Sequence, residues 1–542
     1  MGAGLGEGAG NGRARTRNSQ FFDFFDQGLR ALLEDRYARV PEGRMMPVRQ
    51  AAPRRLVRIV VADHGPPGSQ GIGPDAGCIE GMVHVFHRLA DLPRSLRPDV
   101  GNESVPAPSG IKRWPAPPSC QYHCLVPDFQ LAFAPSMRSI DRAEWDALAS
   151  RYDSPFLGWG FLALLEESKS VSPERGWTPL HLLLRRGSRL VAAAPVYVKT
   201  SSGGEFVWDF EFARVAEANG ITWYPKLVGM IPVTPSPAWR VMVAEGEDEE
   251  ALVGSVLEIL IDAAYSNQLG GFHVLWPAPD AAELIGRLRG TDRLAGTRGR
   301  RSRGSAAGAP GPEGLVAWEH QAFVWNDEGY GDFAGYLAAF SKNMRRNVLR
   351  ERSGLDAGRI ERRIIEAREA AGTPELLGRM ADYYETTNDR FGPWAARWLE
   401  RDFFLRLPEF MPEGWMLGAA FAEGDNEPIA LSFLMRGAKS IWGRYWGCAR
   451  FEAGLHFELC YYLPVEWALR NGIVRFDPGM GSEHKARRGF RSVLAPSFHA
   501  ICDPRMAKAF SQAVAEANRS EMAEIAALNA DLPFKAIAKE SS

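Results

Sequence analysis

Apolar and polar positions along the chain follow two periods, and the switches between them mark out elements. DFQLAFAP reads as a strand, and IDRAEWDALA as a helix with Asp141 placed as N-cap. SPFLGWGFLALLEESKSV carries apolar residues near helical spacing. PLHLLLRR and RLVAAAPVYVKT are short apolar runs joined at Gly187-Ser188, the signal of a hairpin. EDEEALVGSVLEILIDAAYSNQ predicts a helix with an acidic first turn, and GGFHVLWP a buried strand. The pattern then recurs. A strand at His320–Trp325 leads into DFAGYLAAFSKNMRRNVLRER, a helix apolar early and basic late, and then into the helix PELLGRMADYYETTNDRF. WMLGAAFAEG, PIALSFLMRG and SIWGRYWGC predict three strands, HFELCYYLPVEWALRNG a helix and VRFDPG a last strand. Helix, helix, antiparallel strands, helix, strand occurs twice, which predicts an α+β protein of two domains with mixed, mostly antiparallel sheets flanked by helices.

The breaks in this pattern set the expected boundaries. Residues 1–127 are rich in Pro, Gly and Arg and predict a largely disordered or loosely structured extension, with one short helix at Gln20–Arg39 and one strand at Arg55–Val61. The first domain is expected over 128–286 and a basic low-complexity linker or insertion over 287–316. The second domain follows over 317–505, with a helical tail over 506–542. Two origins suit the extension: an organelle-targeting segment, given its early arginines, or a start placed too far upstream, with Met137 the alternative. A cytoplasmic protein is the expectation, and an organelle the alternative if residues 1–127 are a transit extension.

Composition narrows the classes. Lys and Arg number 64 against 66 Asp and Glu, a formal charge of −2, so any surface for a polyanion must be local. No apolar run is long enough to predict a spanning helix. The six cysteines, Cys78, Cys120, Cys124, Cys448, Cys460 and Cys502, are too sparse for a disulfide scaffold. The sequence holds no Walker loop, HExxH, CxxC pair or GxSxG elbow.

Several long segments carry a resemblance. SPFLGWGFLALLEESKSVSPERGWTPLHLLLRRGSRLVAAAPVYVKTSSGGEFVWDF, WYPKLVGMIPVTP, SKNMRRNVLRER, GRYWGCARFEAGLHFELCYYLPVEWALRNGIVRFDPG and GSEHKARRGF resemble the bacterial FemAB-like proteins of peptidoglycan biosynthesis or recognition. These belong to the wider GNAT superfamily of N-acyltransferases. The resemblance covers about residues 150–500 and implies two tandem GNAT-like domains, each sheet splayed between its fourth and fifth strands. It also implies transfer of an acyl or aminoacyl group from an activated donor to an amine acceptor. The implied donor is acyl-CoA or aminoacyl-tRNA, a substrate rather than a tightly bound cofactor. One departure bears on the donor. The Gly-rich loop that holds the CoA pyrophosphate in many GNAT enzymes has no counterpart in CARFEAGLHFEL.

Chemistry-bearing residues gather in a few segments. In GRYWGC, Arg444 offers a planar fork to a phosphate or carboxylate, Tyr445 a proton for a leaving group and Trp446 a stacking face; plain alternation on a sheet would instead leave one of the aromatics as core. Glu458 near a helix start is a candidate general base, or a charge that stabilises that helix end. His456 shares a helix face with Cys460, but the two supply half a metal ligand set. GSEHKARRGF combines Glu483, His484, Lys485 and Arg488 among glycines. His484 is a second candidate base and the cations are candidate phosphate holders, against a solvated basic loop. The resemblance places the Lys of this segment near substrate. Arg345 and Arg346, with Lys342, Arg350 and Arg352, give a basic helix able to meet phosphates, tRNA included. In the first domain Glu205, Trp208, Asp209, Tyr224 and Lys226 are candidates for lining a groove between domains, or for packing. Three readings follow: an acyltransferase, a non-catalytic module that recognises a peptidoglycan or nucleotide-sugar fragment, and an RNA-associated factor.

Overall fold

The computed structural model describes residues 129–290, 314–390, 397–481 and 483–535, which all fall within one compact unit. The helix expected at Gln20–Arg39, the strand at Arg55–Val61 and most of the basic linker lie outside these residues. The N-terminal half holds eight strands: β1 (Gln130–Ala134), β2 (Trp177–Pro179), β3 (His181–Arg186), β4 (Arg189–Ala194), β5 (Val196–Lys199), β6 (Lys226–Gly229), β7 (Met242–Val243) and β8 (Gly271–Val274). The C-terminal half holds β9 (Val316–Asn326), β10 (Ile360–Glu366), β11 (Trp415–Ala422), β12 (Pro428–Arg436), β13 (Ser440–Cys448), β14 (Arg475–Asp477) and β15 (Arg491–Ile501). Four helices matter below: α1 (Glu249–Ser266), α2 (Lys342–Ala357), α3 (Pro374–Asp389) and α4 (Pro504–Ala530).

β3 and β4 form the expected hairpin around Gly187, whose φ of +59° suits a residue without a Cβ. Pro195 then breaks what reads as one strand, RLVAAAPVYVKT, into β4 and β5. β4 joins a four-stranded sheet in the order β1-β3-β4-β7, and β5 joins the main sheet. A proline cannot donate to a ladder, so the strand changes partners there. The long helix expected across DFAGYLAAFSKNMRRNVLRER likewise divides. Its first part ends at Ala339, and Ser341 starts α2, accepting a hydrogen bond from the Met344 amide.

The main sheet has eleven strands in the order β10-β11-β12-β13-β14-β9-β15-β8-β6-β5-β2. The architecture is mixed α+β, and the two halves share this one sheet. The join is an exchange. β15, late in the chain, lies beside β8 of the N-terminal half, while β9, which follows β8 in sequence, lies beside β14. β9 and β15 pair antiparallel over Arg491–His499. α4, expected as part of a tail, packs on both strands. The Asn518 side chain accepts from the Glu319 amide at 2.8 Å and donates to the Ala317 carbonyl at 3.0 Å. One apolar core draws on both halves, with Phe156 edge-on to Trp442 at 5.3 Å. Among the described residues no helix is long and apolar enough to cross a membrane.

Candidate functional site

Among the described residues each half contains one pair of parallel strands, and each pair separates after three residues. In the N-terminal half β6 pairs with β8 from Leu227–Phe272 to Gly229–Val274. The gap beyond is filled by the chain itself. Trp239, fully buried, lays its indole over Gly229, where a Cβ would come within 2.5 Å of the ring, and its Nε1 donates to the Pro195 carbonyl at 2.8 Å.

In the C-terminal half β13 pairs with β14 from Ser440–Arg475 to Trp442–Asp477. Gly443 and Gly479 stand at the point of separation, where a Cβ on Gly479 would lie 3.0 Å from the Gly443 carbonyl oxygen and φ is +80°. Directly beyond Gly443 the β12–β13 ladder slips: Leu434 faces Gly443, Phe433 faces Tyr445, and Arg444 has no partner. Such a bulge re-aims side chains. It keeps Tyr445 on the same face as Trp442, against Tyr384 at 4.9 Å and parallel to Phe433. It puts Trp446 on the opposite face, edge-on to His456 at 5.0 Å. It frees Arg444 to reach the N-terminal half, where Nη2 donates to the Val233 carbonyl at 3.0 Å. Asp477 faces the same loop, accepting from the Ser236 hydroxyl at 2.6 Å with one oxygen and from the Gly479 amide with the other. Both lips of the opening are thus tied to residues 233–236. Sequence reasoning passed over Ser236 and Asp477; the Asp-Pro-Gly after a short strand was the available signal.

Behind the opening, GSEHKARRGF forms a 3-10 turn, Glu483–Arg488. Lys485 is buried, its Nζ donating to the Gly479 carbonyl at 2.8 Å and to that of Met480. Arg488 is buried too. Its guanidinium sits 3.3 Å from the Phe457 ring centre, donates to the His484 carbonyl at 2.9 Å and faces Glu351 at 3.7 Å. The two cations therefore brace the turn rather than stand in solvent, as a solvated loop would have them. Glu483 is exposed. His484 Nε2 meets the Tyr461 hydroxyl at 2.9 Å, and His456 stands 6.1 Å from it, centre to centre. Burial, with Lys485 close by, depresses the His484 pKa to about 2; burial, with Arg488 and Lys485, depresses that of His456 to about 3. Both rings are neutral at pH 7.

Glu458 lies apart from this group. It is fully buried in a single π-turn, Glu458–Tyr462, 2.8 Å from Arg352 and 3.7 Å from Arg362. Burial raises its pKa while Arg352 opposes the rise. That is the geometry of an internal ion pair. Arg345 is half-buried and Arg346 exposed on α2, where Arg346 bonds Asn343 at 2.6 Å.

The candidates of the N-terminal half form a second cluster. Lys226, buried, bridges Glu205 at 2.8 Å and Asp209 at 2.5 Å. Asp209 also accepts from Trp223 Nε1 at 2.8 Å and from the Tyr224 hydroxyl at 2.9 Å. Burial works against the Lys226 charge, but the two carboxylates more than offset it and its pKa is raised. Burial pushes Glu205 up to about 7 and Lys199 down to about 7. Trp208 is 39% exposed, with its ring 6.4 Å from that of Phe210.

No curated protein matches the chain. Among solved structures, the C-terminal domain of a putative lysylphosphatidylglycerol synthetase from Agrobacterium fabrum is 12% identical, covers 70% of this chain and 97% of its own, and has a TM-score of 0.40. FemX is 12% identical, with coverage of 67% and 96% and a TM-score of 0.40. A tandem GNAT protein from the clavulanic acid pathway is 10% identical, with coverage of 69% and 99% and a TM-score of 0.32. The family model for FemAB-like proteins, described as peptidoglycan biosynthesis/recognition, matches residues 136–536, and the chain belongs to that family.

Proposed function

We propose that the chain is an acyltransferase, moving an acyl or aminoacyl group from an activated donor to an amine acceptor at the β13–β14 opening. The observation that carries this reading is the bulge at Arg444 beside the parting of two parallel strands. A bulge there leaves the Arg444 peptide outside the β12–β13 ladder, and an amide so placed can meet the oxyanion that forms as the amine adds to the carbonyl. The amine nitrogen bonds to the carbonyl carbon, the bond to the donor's sulfur or oxygen breaks, and the leaving group takes up a proton. Burial raises the Tyr445 pKa, with Arg444 opposing, so the phenol stays protonated at pH 7 and is fit to supply that proton. His484, a neutral imidazole held by Tyr461, would accept the proton of the amine. Burial makes His484 a weak base, and an anion bound near Lys485 would offset the positive field that adds to that effect. Acyl-CoA and aminoacyl-tRNA are the donor classes, and a cell-wall precursor is the acceptor the family suggests.

A second reading, recognition of a peptidoglycan fragment without transfer, is favoured by one observation: Lys485, Arg488 and Glu458 are all buried and paired inside the protein. Tyr445→Phe tests the mechanism of the first. It removes the proton donor and should lower turnover by about 10²–10⁴-fold with the fold intact; unchanged turnover would remove Tyr445 from the mechanism.

A further inference from the structure

A chain of hydrogen bonds, buried except at its half-buried His320 end, crosses the strand exchange, away from the opening. His273 on β8 and His499 on β15 face each other Nδ1 to Nδ1 at 2.7 Å. His499 Nε2 meets the Ser497 hydroxyl at 2.7 Å, and the same hydroxyl meets His320 Nε2 on β9 at 2.7 Å. His273, Ser497 and His499 are 1%, 0% and 2% exposed. Serine beside histidine suggests a nucleophile, but this hydroxyl is fully enclosed and also lies 3.3 Å from the Trp318 carbonyl. It is a link, not an attacking group.

The order of protons in the chain is constrained. Each neutral imidazole has one N–H and one bare nitrogen. His273 Nε2 is buried and unpartnered, which an N–H tolerates worse than a lone pair. His273 therefore donates through Nδ1 to His499 and His499 through Nε2 to Ser497, whose hydroxyl is shared between His320 and the Trp318 carbonyl. An added proton on His499 breaks this order, because it would point an N–H at the N–H of His273.

We propose that His273–His499–Ser497–His320 is an acid-released clasp between the exchanged strands, closed when all three rings are neutral and opened when one is protonated. The surroundings offer little to hold a positive charge. β6 presents Lys226, backed by Asp209 and Glu205. β9 adds Glu319, whose charge Arg289 favours against burial, and α4 presents the apolar ring of Phe510 at 5.0 Å from His499. Burial lowers all three histidines, with Lys226 adding to the effect on His273 and His499, and with His320 reaching about 3. The sign follows. The folded state holds these rings neutral while the unfolded chain takes up protons below about pH 6.5, so stability is lost as pH falls through that point.

The test is the unfolding equilibrium of the full chain in urea from pH 7.5 to 5.0, for the native protein and for His273→Asn with His499→Gln. The plot of log unfolding constant against pH should lose up to about two protons of slope in the variant. An equal slope would overturn the proposal. If the variant does not fold, amide exchange of the native protein decides. The opening constant for β15 should rise as pH falls below about 6.5, and a pH-independent opening constant would overturn the clasp.

Discussion

Lys485 turns into the protein rather than towards a phosphate. Its ammonium holds the Gly479 and Met480 carbonyls, and so sets the path of the chain where β14 leaves the sheet. A charge among glycines was read from the sequence as a candidate phosphate holder. That the charge would point inward was not, because nothing local tells an exposed lysine from one capping carbonyls six residues back. Glu458 is the counterpart. Its place in a helix suggested a base, but two arginines from α2 and β10, about a hundred residues earlier, claim it. Glu458→Ala should cost about 1–3 kcal/mol, because Arg352 loses one of its two carboxylates and keeps Glu466 at 2.6 Å. Turnover per folded molecule should be little changed. A collapse of turnover at unchanged melting temperature would return Glu458 to the chemistry.

Among the elements, those with a strong local period were readable: the β3–β4 hairpin, α1, and the run β11 to β13. β10 was missed, since IERRIIE alternates charge and apolar residues directly after a basic helix. The bulge at Arg444 was also hidden, because its cause is the mismatch of two strands and not any residue in one of them. The two gaps between parallel strands differ in a way no motif announces. Trp239 seals the first and the second keeps a glycine at each lip. Trp239→Ala should therefore cost about 3–5 kcal/mol through the cavity it leaves, and should leave donor binding at the other gap unchanged. Donor binding lost together with Trp239, in a folded variant, would move the site into the N-terminal half.

The whole molecule is less divisible than its repeated pattern implies. The order of elements predicts two domains, but the exchange of β9 and β15, which joins the halves in one sheet, depends on partners more than two hundred residues apart. A fragment ending at residue 290 loses β15 and exposes the edge of β8, a liability for aggregation. It should show no cooperative unfolding transition, whereas residues 129–535 should show one. A cooperative, monomeric 129–290 fragment would contradict the exchange.

The central claim is that an activated acyl donor binds where β13 and β14 part. The most direct measurement is the melting temperature of the full chain against acetyl-CoA, longer acyl-CoAs and aminoacyl-tRNAs. A donor at a hundred times its Kd should stabilise the fold by about 2.7 kcal/mol. The account predicts a saturable rise with one donor class, diminished when Gly443 is replaced by a bulky residue at the lip of the opening. No rise with any donor, from a protein whose melting point does rise with peptidoglycan fragments, would contradict transfer and leave recognition as the function.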